Sequence, residues 1–237
     1  MDTCSSPAPR TDIIIPSWNQ TELALDCLAS IEQNTQDYRI IWVDNGSDEE
    51  SFRQVYAQLA SMPHKLVRNS DNLGFIRATN QGLSLSTASW VVLLNNDTEV
   101  PPSWLEALRY PFEHPEESPE RPKVGAVGPL SSAKDSWQGR HKVQPGWMLL
   151  KDTTMLSFFC VMLSREVVQK VGLLNEDYGV GLGDDDEYCA RIHKAGYRLA
   201  LAQEVVVKHH HRSTFKELYT PDEIASMQRD AWERLKK

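Results

Sequence analysis

Cysteine is scarce: four residues in 237, at Cys4, Cys27, Cys160 and Cys189, with no CxxC pair and no zinc-type spacing. That excludes a disulfide framework or a cysteine-rich zinc module, and reduced thiols are expected. Basic residues are also in deficit, 25 Lys and Arg against 33 Asp and Glu, for a net charge of −8. A broad nucleic-acid-binding face needs the opposite balance. An anionic ligand would therefore need a local positive source, a metal ion or helix N-termini. No apolar run reaches the length of a membrane span, and "MDTCSSPAPR" carries no signal-peptide core. The expected location is cytoplasmic, with peripheral membrane contact left open. GxGxxG and GxxxxGK[ST] are both missing, which argues against dinucleotide and P-loop sites.

What is present is a globular composition, 41% hydrophobic and 24% charged. "TDIIIPSWN", "YRIIWVDNGSDEE", "HKLVRN" and "SWVVLLNND" read as strands. Between them, "QTELALDCLASIEQN", a helix from Ser47 and Glu50 to about Leu59, and "NLGFIRATNQGLSLS" read as helices. Ser47 and Glu50 have the spacing of a capping box. Such alternation predicts an α/β fold with a mostly parallel sheet flanked by helices. The pattern breaks near Pro111. Beyond it come a proline-rich loop, the strands "VGAVGP" and "MLSFFCVML", irregular residues 131–153, and a short helix "SREVVQKV". A glycine loop, the helix "DDDEYCARIHKAGY", one or two strands in "RLALAQEVVVKHHH" and a polar C-terminal helix follow. The expected organisation is a loose tail over 1–10 and one domain over 11–237. Its parts are a first half 11–110, a second half 111–215 and a terminal helix 216–237.

Ligands of open parallel sheets bind beyond the carboxyl ends of the strands. Four successive strands here end in polar residues: Ser17-Trp18-Asn19, Asp44-Asn45, Asn69 to Asn72, and Asn95-Asn96-Asp97. Any one of them is ordinary turn chemistry; four together point to a shared pocket. Asp184 to Glu187 form a carboxylate run directly after Gly179, Gly181 and Gly183. Like charges raise one another's pKa, while a helix N-terminus favours the ionised forms. In His209-His210-His211 the outer two would share one strand face, and imidazole is a common metal ligand. Trp147, beside Gly146, and the Phe158-Phe159 pair are candidates to line a substrate pocket.

In order and spacing, "IIIPSWN", "IWVDNGSDE", "NSDNLGFIRATNQG", "VVLLNNDTEV", "SREVVQKVGLLNEDYGVGLGDDDEYCARIHKAGYRL" and "VVVKHHHRST" resemble the inverting family-two glycosyltransferases of GT-A fold. Their rhamnosyltransferase-like subgroup is the nearest in pattern. The resemblance implies a nucleoside-diphosphate sugar as donor and a glycan, lipid-linked or other hydroxyl as acceptor. It implies nucleotide contacts from Pro16, Ser17, Trp18, Asp44, Asn72, Gly74, Arg77 and Asn96. Asp97 would bind a divalent metal, Mn²⁺ or Mg²⁺, with His209 or its rival His211. Asp185 would be the catalytic base, with Asp184 beside it where relatives carry Glu. Trp147, Phe159 and Gly183 would face the acceptor. The chain departs from the pattern in having one carboxylate in "NND" and Arg212 where Gly is frequent. A modified DNA base as acceptor, a sugar-phosphate nucleotidyltransferase and a non-catalytic nucleotide-sugar module are the rival readings. The net charge opposes the first. The second lacks its Gly-rich basic signature in "PSWNQTE". Hydrolysis of a nucleotide sugar would separate the third.

Overall fold

Ile13, Ile14 and Ile15 open the fold because β-branched residues buried on both faces suit a central parallel strand. In the computed structural model, which describes residues 10–114, 122–133, 136, 138–139, 150–179, 181–210 and 220–235, they lie in β1 (Thr11–Ser17). All three are fully buried. Strand alternation sends Ile13 and Ile15 into one apolar cluster, with Trp42 and Trp104, and Ile14 into another, with Ile76 and Tyr188. The sheet thus has a core on each face.

The first half follows the expected alternation: α1 (Thr21–Asn34), β2 (Tyr38–Asp44), α2 (Glu49–Leu59), β3 (His64–Arg68), α3 (Phe75–Leu85) and β4 (Trp90–Leu94). β3, β2, β1 and β4 are neighbours in that order, all parallel. The second half adds β5 (Thr98–Glu99), α4 (Trp104–Glu113), β6 (Val124–Ser131), β7 (Leu150–Thr153), β8 (Cys160–Ser164) and α5 (Arg165–Val171). A 3₁₀ turn (Glu176–Tyr178), α6 (Asp184–Lys194), β9 (Arg198–His209) and α7 (Pro221–Leu235) complete it. β8 enters antiparallel between β4 and β6, β9 runs parallel to β6, and β7 and β5 pair antiparallel with β9.

Local details differ from the sequence reading. Asp48, not Ser47, caps α2, accepting from the Ser51 amide at 2.8 Å. Ser47 Oγ instead accepts from the Asn19 amide at 2.8 Å. α4 runs past Pro111 to Glu113. The apolar stretch "MLSFFCVML" becomes strand only from Cys160, because Phe158 and Phe159 occupy a turn. Residues 150–153, expected to be irregular, form β7. No helix among the described residues is long and apolar enough to cross a membrane.

Candidate active site

Parallel register brings the polar strand ends side by side. Ser17 pairs with Asp44, and Asp44 with Arg68. Asp44 is buried, and its Oδ2 lies 3.3 Å from Arg68 Nε. Arg68 also pairs with Glu49 at 2.8 Å and lies 3.7 Å over the Phe52 ring. Between these strand ends and α2 is a hollow of about 270 Å³, mouth included, lined by Ser17, Trp42, Asp44, Phe52, Tyr56 and Leu66 among others. Phe52 and Tyr56 stack with centroids 5.6 Å apart. This edge thus sets a buried carboxylate, paired with Arg68, beside apolar and aromatic side chains. The β1–α1 corner that closes this hollow is tight, with Asn19 and Gln20 both at positive φ. Asn19 Oδ1 accepts from the Asp48 amide at 3.0 Å, which fixes the corner to the start of α2. Pro16 is buried in β1 and Trp18 half-buried just beyond it.

Asn45 holds the next loop. Its Oδ1 accepts from Asn69 Nδ2 at 3.0 Å and the Leu73 amide at 3.1 Å. Its Nδ2 donates to Asn72 Oδ1 at 2.8 Å and the Gly74 carbonyl at 3.3 Å. Asn72 Oδ1 also accepts from the Gly74 amide at 2.9 Å, placing Asn72 and Gly74 together at the start of α3. Arg77, one turn further on, reaches Glu176 at 3.2 Å. Asn45 is expected from sequence only as one of the polar strand ends; its part in holding the 69–74 loop comes from partners distant in sequence.

At the end of β4, Asn96 and Asp97 are both buried. Asn96 Nδ2 donates to Ser17 Oγ at 3.2 Å. Thr98 pairs with His209 across β5 and β9, and this register brings His209 Nε2 to 3.3 Å from Asp97 Oδ1. The His209 ring stacks on Phe159, centroids 4.7 Å apart and planes 10° from parallel. His210 points elsewhere, to Glu99 at 3.3 Å. His211 and Trp147 lie outside the described residues. Phe159, an expected acceptor contact, is 3% exposed, so its face supports His209 rather than an open surface. Its neighbour Phe158 packs edge-on against Tyr188 of α6, with centroids 5.7 Å apart. The aromatic pair therefore joins the helix that carries the acids to the strand that carries His209.

The acids sit at the N-terminus of α6. Gly183, at φ 79°, precedes Asp184 as a left-handed cap. Asp184 is buried and Asp185 half-buried. Burial first, then the negative charge of neighbouring Asp residues, pushes both carboxyls above their ordinary range. A raised pKa is what a carboxylate needs to accept a proton near neutral pH. No group of three or more His, Cys, Asp or Glu side chains suited to a metal gathers among the described residues. Asp97 and His209 offer one oxygen and one nitrogen donor, a pair that fits a divalent cation whose other positions are filled by phosphate oxygens and water.

Residues 12–172 match the description Glycosyl transferase family 2. The chain belongs to this family. It is 24% identical to an uncharacterized protein of Sinorhizobium fredii over 94% of this chain and 27% of that protein. It is 32% identical over 92 residues to a PGL/p-HBAD biosynthesis glycosyltransferase of Mycobacterium bovis, 38% of this chain and 36% of that one. This family-2 chain thus spans 27% to 36% of the length of these curated relatives. A mannosyltransferase of Pyrobaculum calidifontis, solved with GDP-Man and Mn²⁺, superposes with a TM-score of 0.64 at 20% identity, over 85% of this chain and 56% of that one. GalNAc-T7, solved with UDP, GalNAc and Mn²⁺, superposes with a TM-score of 0.68 at 16% identity, over 84% and 43%. These likenesses establish the GT-A fold.

Proposed function

We propose that this family-2 chain transfers a sugar from a nucleoside diphosphate to an acceptor hydroxyl, with inversion at the anomeric carbon. The observation that carries the reading is the buried Asp97–His209 contact at 3.3 Å, beside the Asn96–Ser17 hydrogen bond and in the row of strand ends that includes Asp44. Residues 11–110 are taken as the donor half and 111–215 as the acceptor half. Asp44 accepts from the base, with Ser17, Trp18 and the Phe52 side of the hollow around it. Asn72, Gly74 and Arg77 flank the rest of the nucleotide.

Asp97 and His209 would hold Mn²⁺ or Mg²⁺, and a cation there supplies Lewis-acid stabilisation of the departing diphosphate. The Phe159 ring and the β5–β9 pairing keep both side chains in place for that duty. Asp185 takes the proton of the acceptor hydroxyl on a carboxylate oxygen as that hydroxyl attacks. Asp184, buried beside it, keeps its pKa high by proximity of charge. The acceptor is a glycan, a lipid-linked sugar or another hydroxyl compound, and the acidic net charge disfavours a nucleic acid.

The deciding experiment screens UDP- and GDP-sugars for Mn²⁺-dependent release of nucleoside diphosphate and for thermal stabilisation. Turnover or stabilisation that vanishes with chelator is the expected result. A chain that neither binds nor cleaves any of them overturns the reading.

A further inference from the structure

Donor and acceptor machinery sit on different helices. The nucleotide loop leads into α3, and the acids begin α6. Between them runs the segment Val171–Leu174, and it is fastened from both sides. On the α3 side, Asn80 is buried and exchanges two hydrogen bonds with one backbone residue. Its Oδ1 accepts from the Leu174 amide at 2.9 Å, and its Nδ2 donates to the Leu174 carbonyl at 3.0 Å. Nδ2 also lies 3.3 Å from Glu176 Oε1, the residue that holds Arg77. On the α6 side, Tyr188 Oη donates to the Gly172 carbonyl at 2.8 Å. Arg191 donates to the Val171 and Leu173 carbonyls, each at 2.9 Å.

A loop segment normally spends its backbone groups on water or its own turns. Here Val171, which ends α5, and the three residues after it place backbone groups on side chains of two helices, while the Gly172 amide stays with the Val168 carbonyl. Asn80 and Tyr188 are buried or nearly so, which makes their bonds costly to leave unmade. α3 is itself seated against β1, since a Cβ on Gly82 would stand 2.3 Å from Ile14 Cγ2. The acids follow through a segment with positive φ at Gly179, Gly181 and Gly183, positions that favour glycine. Fixing Leu174 therefore fixes where that segment starts, and fixing α6 fixes where it ends.

We infer that Val171–Leu174 is a strut that sets the distance between the bound donor and Asp185, with Asn80, Tyr188 and Arg191 as positioning residues. None of the three touches the reacting atoms in this scheme, which rests on the transferase reading above for its chemical consequence. A small misplacement of a catalytic group lowers turnover without touching donor affinity.

The test compares wild type with Asn80→Ala and with the milder Tyr188→Phe. Hydrogen exchange should rise in peptides covering 172–186 in both variants, while β1, β2 and β4 keep their protection. UDP or GDP affinity in Mn²⁺ should stay within about twofold, while kcat for sugar-nucleotide cleavage falls roughly ten- to hundredfold for Asn80→Ala and less for Tyr188→Phe. Unchanged exchange in 172–186, or a uniform rise across all strands, overturns the strut. So does a loss confined to nucleotide affinity. If wild type binds and cleaves no nucleotide sugar, the transferase reading falls, and the exchange comparison still decides the strut on its own.

Discussion

Asp97 Oδ1 and His209 Nε2 meet at 3.3 Å because a two-residue strand, Thr98–Glu99, pairs with the end of β9. If the two side chains share a cation, Asp97→Ala should abolish Mn²⁺-dependent nucleotide binding. His209→Gln should weaken it in part, by roughly the 10–100-fold typical of a lost metal-site partner. Calorimetry with UDP or GDP, with and without Mn²⁺, checks both. Equal affinities in wild type and Asp97→Ala would remove the metal role.

Asp185→Asn keeps the shape of the side chain and removes its basicity. Cleavage and transfer should fall by about 10²–10⁴-fold with donor binding retained. The pH dependence has a definite sign. Asp184 and Asp185 carry pKa values raised by burial and by the charge of neighbouring acids. A base must be ionised, so kcat/KM should rise with pH along a limb displaced above the ordinary carboxylate range. Stability runs the other way. A carboxyl whose folded pKa is raised contributes fully below its unfolded value, and the contribution is lost as pH rises through the folded value. Thermal melts of wild type and Asp185→Asn across pH should therefore diverge on the alkaline side.

The legible part of this chain was the part with a repeating local signal. Short continuous apolar runs with polar ends announced β1 to β4, and the carboxylate run after three glycines announced the start of α6. Long-range pairing left no such trace. That β8 would insert antiparallel beside β4, or that Thr98 would find His209, depends on contacts between distant segments. The partners of Asn45 and the role of Asn80 were hidden for the same reason: an amide in "DNG" or "TNQG" looks like turn or helix-surface polarity until its partners arrive from elsewhere in the chain. Phe159 shows the converse case. A Phe pair in an apolar stretch reads as core that can also line a pocket, and which group its ring faces, here His209, is set by a strand 50 residues away.

Gly46 stands at φ 82°, and a Cβ there would lie 2.6 to 2.9 Å from the backbone of Asp71. The β2–α2 corner and the nucleotide loop touch at this point through main chain alone. Gly46→Ala must strain its own φ or push the 69–74 loop away, at a cost of about 1–3 kcal/mol. The expected outcome is a lower Tm together with weaker donor binding, since Asn72 and Gly74 ride on the displaced loop. Binding equal to wild type would detach this loop from the donor site.

Asp12 supplies a contrast at the opposite end of β1. Its carboxylate is fully buried and takes a bidentate pair from Arg39, Nε to Oδ1 at 2.9 Å and Nη2 to Oδ2 at 3.1 Å. Oδ2 also accepts from the Thr87 amide at 2.8 Å, the Ala88 amide at 3.0 Å and Ser86 Oγ at 2.8 Å. Asp12→Ala would strand the amides of Thr87 and Ala88 and leave Arg39 without its main partner. Breaking a buried pair by removing one member costs about 3–5 kcal/mol. Arg39, whose side chain is 19% exposed, can recover some hydration, which places the expectation at the lower end. Because Asp12 lies away from the strand ends that gather Ser17, Asp44 and Asn96, the residual folded protein should keep the nucleotide affinity and pH profile of the proposed activity. Denaturant melts paired with nucleotide titrations separate the two effects. A change in donor affinity without a loss of stability would show that this network reaches the site after all.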